Sequence, residues 1–248
     1  MLASATSPNR PLDPVDDTGR ERLHLALMLG LTFSTGIVDA TGYLGLDRVF
    51  TGNMTGNVVI LGMALLGGDG LPVIGPVIAL CAFVLGAMIA GRVLKPIPSG
   101  WSVRTSALFG GVAVLLAAAA VVASTLGPHM ESSWQYTVTA MLAVAMGMQA
   151  GTARHVAVKD VTTVVVTSTL AGLAADSFFG GRKKQPWVRR AAAVALIGLG
   201  ALLGTLTLHA SIAIGLVISA AISAVAAIAG TVRGRGEPAR PAPARAAA

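Results

Sequence analysis

Six uninterrupted apolar blocks run through this chain, and their length leaves few folds open to it. They cover residues 23–46, 71–94, 105–126, 134–153, 191–208 and 211–229, so each runs 18 to 24 residues. At 1.5 Å per residue a helix of that length crosses roughly 30 Å of hydrocarbon. Charged side chains make up only 12% of the 248 residues, and hydrophobic ones 54%. A water-soluble domain carries charge on about a quarter of its residues. Here the charges are gathered into short knots between the blocks. That pattern excludes an ordinary soluble domain and predicts an all-α integral membrane protein.

Residues 1–22 are polar, with Pro11, Pro14 and four acidic groups, and read as a disordered cytoplasmic tail. Their composition is not that of a secretory signal, which puts a short basic region before its apolar core. Residues 231–248, rich in Arg, Ala and Pro, read as a second disordered cytoplasmic tail. A single membrane domain, residues 23–230, lies between them. Trp101, Trp134 and Trp187 fall at or just before span starts, as interfacial anchors do. The single cysteine, Cys81, sits inside an apolar block, allows no disulfide within the chain and is expected to be a packing residue. The net charge of +7 comes from residues that flank the spans, with no aromatic-interleaved stripe. The expected partner of this charge is the bilayer with its anionic headgroups, not nucleic acid.

Residues 49–67 (VFTGNMTGNVVILGMALLG) and 161–181 (VTTVVVTSTLAGLAADSFFGG) are each half polar or small and half apolar. Counting them as crossings gives eight spans; leaving them out gives six. With six spans and an inner N-terminus, every Lys and Arg except Arg48 falls inside, whereas eight spans place a third of them outside. Cytoplasmic regions collect positive charge. The expectation is therefore six transmembrane helices, both termini cytoplasmic, and two short broken or re-entrant segments.

Those two segments align with each other: Val49 with Val161, Thr51 with Thr163, Thr55 with Thr167 and Asn57 with Thr169. Upstream, Gly36-Ile-Val-Asp39-Ala40 faces Gly147-Met-Gln149-Ala150-Gly151 at nearly the same spacing. Each half, about residues 23–126 and 134–230, reads span, short polar segment, span, span. Three spans per half is an odd number, so the second half enters the membrane upside down. Such inverted repeats are common among transporters and channels, with the site at the repeat interface near the midplane.

Asp39 lies inside the first span. A carboxylate at a helix centre costs roughly 2.5–3.5 kcal/mol on insertion, so it marks a functional position by default. On a helix, Thr32, Gly36, Asp39 and Tyr43 share a face. A proton or cation site, or a hydrogen-bond acceptor for substrate, is one reading of Asp39; a cap for the following broken segment, or a counter-charge for a buried cation such as Arg154, is the other. In Thr51-Gly52-Asn53-Met54-Thr55-Gly56-Asn57 the hydroxyls and amides can donate and accept, which suits a neutral or zwitterionic ligand. A helix starting near Thr55 would also favour an anion at its N-terminus. Helix packing through Gly52 and Gly56 is the bland alternative. In the second half, Thr162, Thr163, Thr167 and Thr169 form the counterpart, and Gln149 is the nearest analogue of Asp39. Gly147 and Gly151 are expected to serve packing. Gly200 and Gly204 can pack within one chain or between chains, so a homo-oligomer is compatible with the sequence.

Neither a His-Glu-x-x-His helix, nor Cys/His metal spacing, nor a nucleotide-binding glycine loop, nor a Gly-x-Ser-x-Gly elbow is present. No enzyme, cofactor or metal site is expected. Gly36-x-x-Asp39-Ala40 followed by Thr51-Gly52-Asn53-Met54-Thr55-Gly56-Asn57 resembles the YoaK family of bacterial multi-span membrane proteins, a domain-of-unknown-function family. The likeness spans about residues 23–230 and extends to Gly147-Met-Gln149-Ala150 with Thr162, Thr163 and Thr167. The family shows Asn and Gly where this chain has Ala150 and Ser168. The resemblance implies a bacterial inner-membrane protein and names no substrate.

The functional expectation is carriage of a small polar solute, coupled to protons or a cation. Its site is expected at Asp39, Tyr43, Thr51, Asn53, Thr55, Asn57, Gln149, Thr163 and Thr167. A channel-like pore and a non-transporting membrane scaffold or sensor remain open as alternatives.

Overall fold

The first helix starts earlier than the apolar pattern does. The structure, a computed structural model, describes residues 14–68, 70–127, 130–156, 166–175 and 187–234. Helix α1 (Pro14–Gly45) opens on Pro14, whose fixed φ suits a first helical position. Residues 14–22 are thus helical where disorder was expected, while residues 1–13 lie outside the described part. At the other end the last helix runs to Gly234, four residues into the expected tail.

The remaining helices are α2 (Met54–Leu65), α3 (Ile74–Leu94), α4 (Val103–Leu126), α5 (Ser132–Val156), α6 (Val166–Ala175), α7 (Trp187–Leu208) and α8 (Ile212–Gly234). No strand occurs among the described residues. Five helices are long and apolar enough to cross a membrane, over Glu21–Gly45, Ile74–Leu94, Val103–Leu126, Trp187–Leu208 and Ile212–Val232. Helix α5 is as long, at 25 residues, but more polar. Its Thr139, Met146, Gln149 and Thr152 are buried against other helices, so that face never meets lipid. Helices α2 and α6 have 12 and 10 residues. At 1.5 Å per residue they span about 18 and 15 Å, short of a bilayer core. Residues 49–67 therefore form an irregular stretch and a short helix; of residues 161–181 only α6 is described.

Two crossings organise the bundle. Helix α1 packs along α7, and α3 along α5. At the first crossing a Cβ added to Gly36 would fall on the Ile197 carbonyl, and one on Gly200 on the Phe33 carbonyl. At the second, Gly86 meets the Val144 carbonyl in the same way, and Gly147 the Phe83 carbonyl. Glycine at these four positions lets the backbones touch. Gly204 meets Ile37 and Ala40, as Gly151 meets Ala87 and Ala90, so both crossings are parallel. The expected packing role of Gly147 and Gly151 holds, and Gly200 and Gly204 pack within the chain. The other partnerships are α4 with α8, α4 with α5, α1 with α8, α2 with α3 and α6 with α7.

End contacts set the helix directions. Trp101, just before α4, stacks on His24 near the start of α1 (ring centroids 5.0 Å apart) and lies against Gly230 near the end of α8. The Gly100 N–H, in the turn between α3 and α4, donates to the His155 carbonyl at the end of α5 (3.3 Å). Gly75, at the start of α3, packs on Val49 just beyond the end of α1. Accordingly α1, α4 and α7 run one way and α3, α5 and α8 the other.

Trp101 departs from its expected interfacial role. It is only 3% exposed, its Nε1–H donates to Ser106 Oγ (2.8 Å), and it packs in a cluster with Met28, Leu31, Phe109 and Ala226. An indole whose N–H has a partner can be buried without penalty. Trp134 and Trp187 are exposed, and so is Cys81, which is not the packing residue expected.

Candidate functional site

After Gly45 the chain doubles back along the helix it has just left. Arg48 takes a positive φ of 50°, and residues 49–53 then run along the last turns of α1. Glycine makes the approach possible: a Cβ on Gly42 would lie 2.8 Å from the Val49 carbonyl oxygen and 3.0 Å from Thr51 Cγ2. Val49 and Thr51 are fully buried as a result.

Asp39 holds this returning strand of backbone. Its Oδ1 accepts the Gly52 N–H (2.6 Å), the Thr51 N–H (3.0 Å) and the Thr51 hydroxyl (3.4 Å). Two consecutive amides aimed at one carboxylate oxygen make a small anion-binding nest supplied from within the chain. The other oxygen, Oδ2, has no hydrogen-bond partner among the described residues. Arg154 is exposed at the end of α5 and is not its counter-ion. Asp39 thus caps the broken segment, one of the two roles open to it from sequence.

Asn57 holds the same segment from the other side. Its Nδ2 donates to the Phe50 carbonyl (2.6 Å) and its Oδ1 accepts the Phe50 N–H (2.9 Å), so a fully buried amide replaces a missing backbone partner. Asn53 caps α2, its Oδ1 accepting the Gly56 N–H (3.2 Å). Gly56 faces the Phe50 ring, where a Cβ would lie 2.7 Å from Cδ2. Tyr43 stacks on that ring from α1 (4.7 Å between centroids). Gly52 and Gly56 therefore serve the turn and the ring, not a helix-helix contact.

The expected site residues separate accordingly. Asp39, Tyr43, Thr51 and Asn57 come together around residues 49–52. Asn53 and Thr55 are exposed on the first turn of α2. Thr167 is exposed on α6, whereas Thr162 and Thr163 lie outside the described residues. Thr32 donates to the Met28 carbonyl of its own helix, and Gly36 packs against α7.

Gln149 is fully buried and reaches across to α1, where its Nε2 donates to Thr35 Oγ1 (3.0 Å) and the Leu31 carbonyl (3.3 Å). Its Oε1 is buried without a partner. The glycine crossings match Gly36 with Gly147, which makes Ala150, not Gln149, the positional counterpart of Asp39. Thr35 joins the two: its Cγ2 and both Asp39 carboxylate oxygens lie 3.3–3.4 Å from where a Gly52 Cβ would stand. Thr35, Gly42 and Phe50 belong to the site and were not singled out from sequence. The spacing of Thr35, Asp39 and Gly42 by four and three residues was the available signal.

The chain matches the model of a family described as "Protein of unknown function (DUF1275)" over residues 27–229. It is 32% identical over 182 residues to the UPF0700 transmembrane protein YoaK of Bacillus subtilis (strain 168), covering 70% of this chain and 79% of that relative. No solved structure matches it.

Proposed function

Because the chain belongs to the DUF1275 family and is a multi-span membrane protein, we propose that it carries a small polar solute across a bacterial inner membrane. In this reading α1, α3, α4, α5, α7 and α8 cross, α2 and α6 re-enter, and both termini are cytoplasmic. The basic residues support that orientation, since every one but Arg48 then lies on the inner side. Exchanging α1–α4 with α5–α8 maps the helix partnerships onto themselves and reverses every crossing helix. That symmetry supports an inverted repeat, an arrangement in which alternating access is rocking of one half against the other.

The observation that carries the proposal is Asp39 gripping the backbone that interrupts the membrane path. Irregular backbone at such depth is tolerated where it is buried in protein or lines a wet cavity. The carrier site is assigned to Asp39, Thr35, Thr51 and Gln149, on α1, α5 and the returning segment between them. Neither a cofactor nor a chemical reaction is part of this reading.

One observation favours the non-transporting scaffold instead: the Asp39 and Asn57 bonds to residues 50–52 are internal, as a purely architectural clasp requires. Flux decides between the two. Vesicles containing the full chain should show solute-dependent currents on a solid-supported membrane, and Asp39→Asn should abolish them. Currents unchanged by Asp39→Asn would remove Asp39 from the mechanism, and none with any solute would favour the scaffold.

A further inference from the structure

The donors and acceptors at this site are not balanced. Around Asp39 the N–H groups of Phe50, Thr51 and Gly52 are all engaged, as are the hydroxyls of Thr35 and Thr51. Both Asn57 Nδ2 and Gln149 Nε2 are engaged as well. The Asn53 N–H also lies beside the carboxylate. Two acceptors remain: Asp39 Oδ2, without a partner among the described residues, and Gln149 Oε1, fully buried and unpartnered. They flank Thr35 on the α1 face that meets α5. The carboxylate has no Lys, Arg or His partner among the described residues.

Resting on the carrier reading above, we infer that the solute carries an ammonium group, which Asp39 Oδ2 and Gln149 Oε1 receive on either side of Thr35. A fully buried amide oxygen with no donor is costly, and a ligand N–H satisfies it. An ammonium brings several N–H donors and a positive charge to two acceptors, one of them ionic. A metal ion would need a full shell of oxygens, which two acceptors do not supply. An anion would meet a carboxylate whose neighbouring amides are already occupied. This narrows the neutral, zwitterionic and anionic ligands that the sequence leaves open.

The test uses full-length protein, in detergent for thermal unfolding and in vesicles for solid-supported-membrane currents. The probes are methylammonium and 2-hydroxyethylammonium chloride, compared with sodium chloride and sodium acetate at equal ionic strength. The expected result is a raised unfolding midpoint and a current with an ammonium probe, and neither with the sodium salts. Asp39→Asn keeps an oxygen for the Thr51 and Gly52 amides but replaces Oδ2 by a donor, and should weaken the ammonium response by roughly tenfold or more. Gln149→Leu, which leaves Asp39 intact, should weaken it roughly three- to tenfold. An acetate response that Asp39→Asn abolishes overturns the ammonium assignment and leaves the carrier reading standing. No response to either ammonium probe overturns the assignment too. Ammonium currents indifferent to Asp39→Asn overturn the assignment and remove Asp39 from the carrier site.

Discussion

Asn57 faces the backbone of Phe50 as a second strand would, donating to its carbonyl at 2.6 Å and accepting its N–H at 2.9 Å. The residues it brackets have left α1 and not yet entered α2, so no helical partner exists for them. Together with Asp39, which accepts the next two amides of the stretch, Thr51 and Gly52, from the last turns of α1, it turns an irregular stretch into a fixed one. Phe50 then supplies the ring on which Tyr43 and Gly56 rest.

Replacing Asn57 by Leu removes both bonds and leaves the Phe50 N–H and carbonyl without partners. The expected cost is about 3 kcal/mol. It should appear as a lower unfolding midpoint in detergent; a midpoint equal to the parent's would mean that the bracket contributes nothing.

The crossing glycines are expected to be intolerant of even one methyl. Gly36→Ala and Gly86→Ala each drive a Cβ into a facing carbonyl and should cost about 1–3 kcal/mol. Gly91→Ala and Gly198→Ala meet open space and should instead stabilise their helices by about 0.5–1 kcal/mol. Unfolding midpoints for the four variants, measured side by side, test the contrast. Equal effects would refute the close crossings.

Topology is testable at two exposed positions in a Cys81→Ser background. Leu66, at the end of α2, and Lys95, at the end of α3, fall on opposite sides of the membrane if α2 re-enters. A membrane-impermeant thiol reagent should label Leu66→Cys on intact cells and Lys95→Cys only after permeabilisation. The reverse pattern would mean that α2 crosses.

Trp101→Ala should be costly and Trp187→Ala nearly silent. The first empties a buried site between α1, α4 and α8, at about 3–5 kcal/mol, whereas Trp187 is exposed at the start of α7. Trp101→Phe keeps the ring stack but loses the bond to Ser106, at about 1 kcal/mol. Thermal unfolding of the three variants gives the order directly.

Much of this architecture was legible in the chain. Five of the six apolar blocks correspond to helices long and apolar enough to cross, because hydrophobic length is a local property that any bilayer imposes. The sixth, α5, shows where the rule weakens: Gln149 and Thr152 are acceptable there because neighbouring helices, not lipid, surround them. Asp39 stood out for the same energetic reason, since an intramembrane carboxylate demands an explanation. Its two candidate roles were both on view, but nothing local chose between them. Trp101 could not be separated from Trp134 and Trp187 by position along the chain, since burial depends on what α1 and α8 place around it.

Local chemistry alone therefore determined the membrane class, five of the helical spans, the interruption after α1 and Asp39 as the residue to watch. Hydrophobic length, charge placement and the cost of burying a carboxylate are all written within a few turns of chain. Tertiary structure decided what Asp39 binds, that Gln149 reaches α1 at Thr35, and that Gly36 meets α7 while Gly86 meets α5. Each of those joins residues far apart in sequence, and only the packing of whole helices sets which backbone groups are left to be satisfied, and by which side chain.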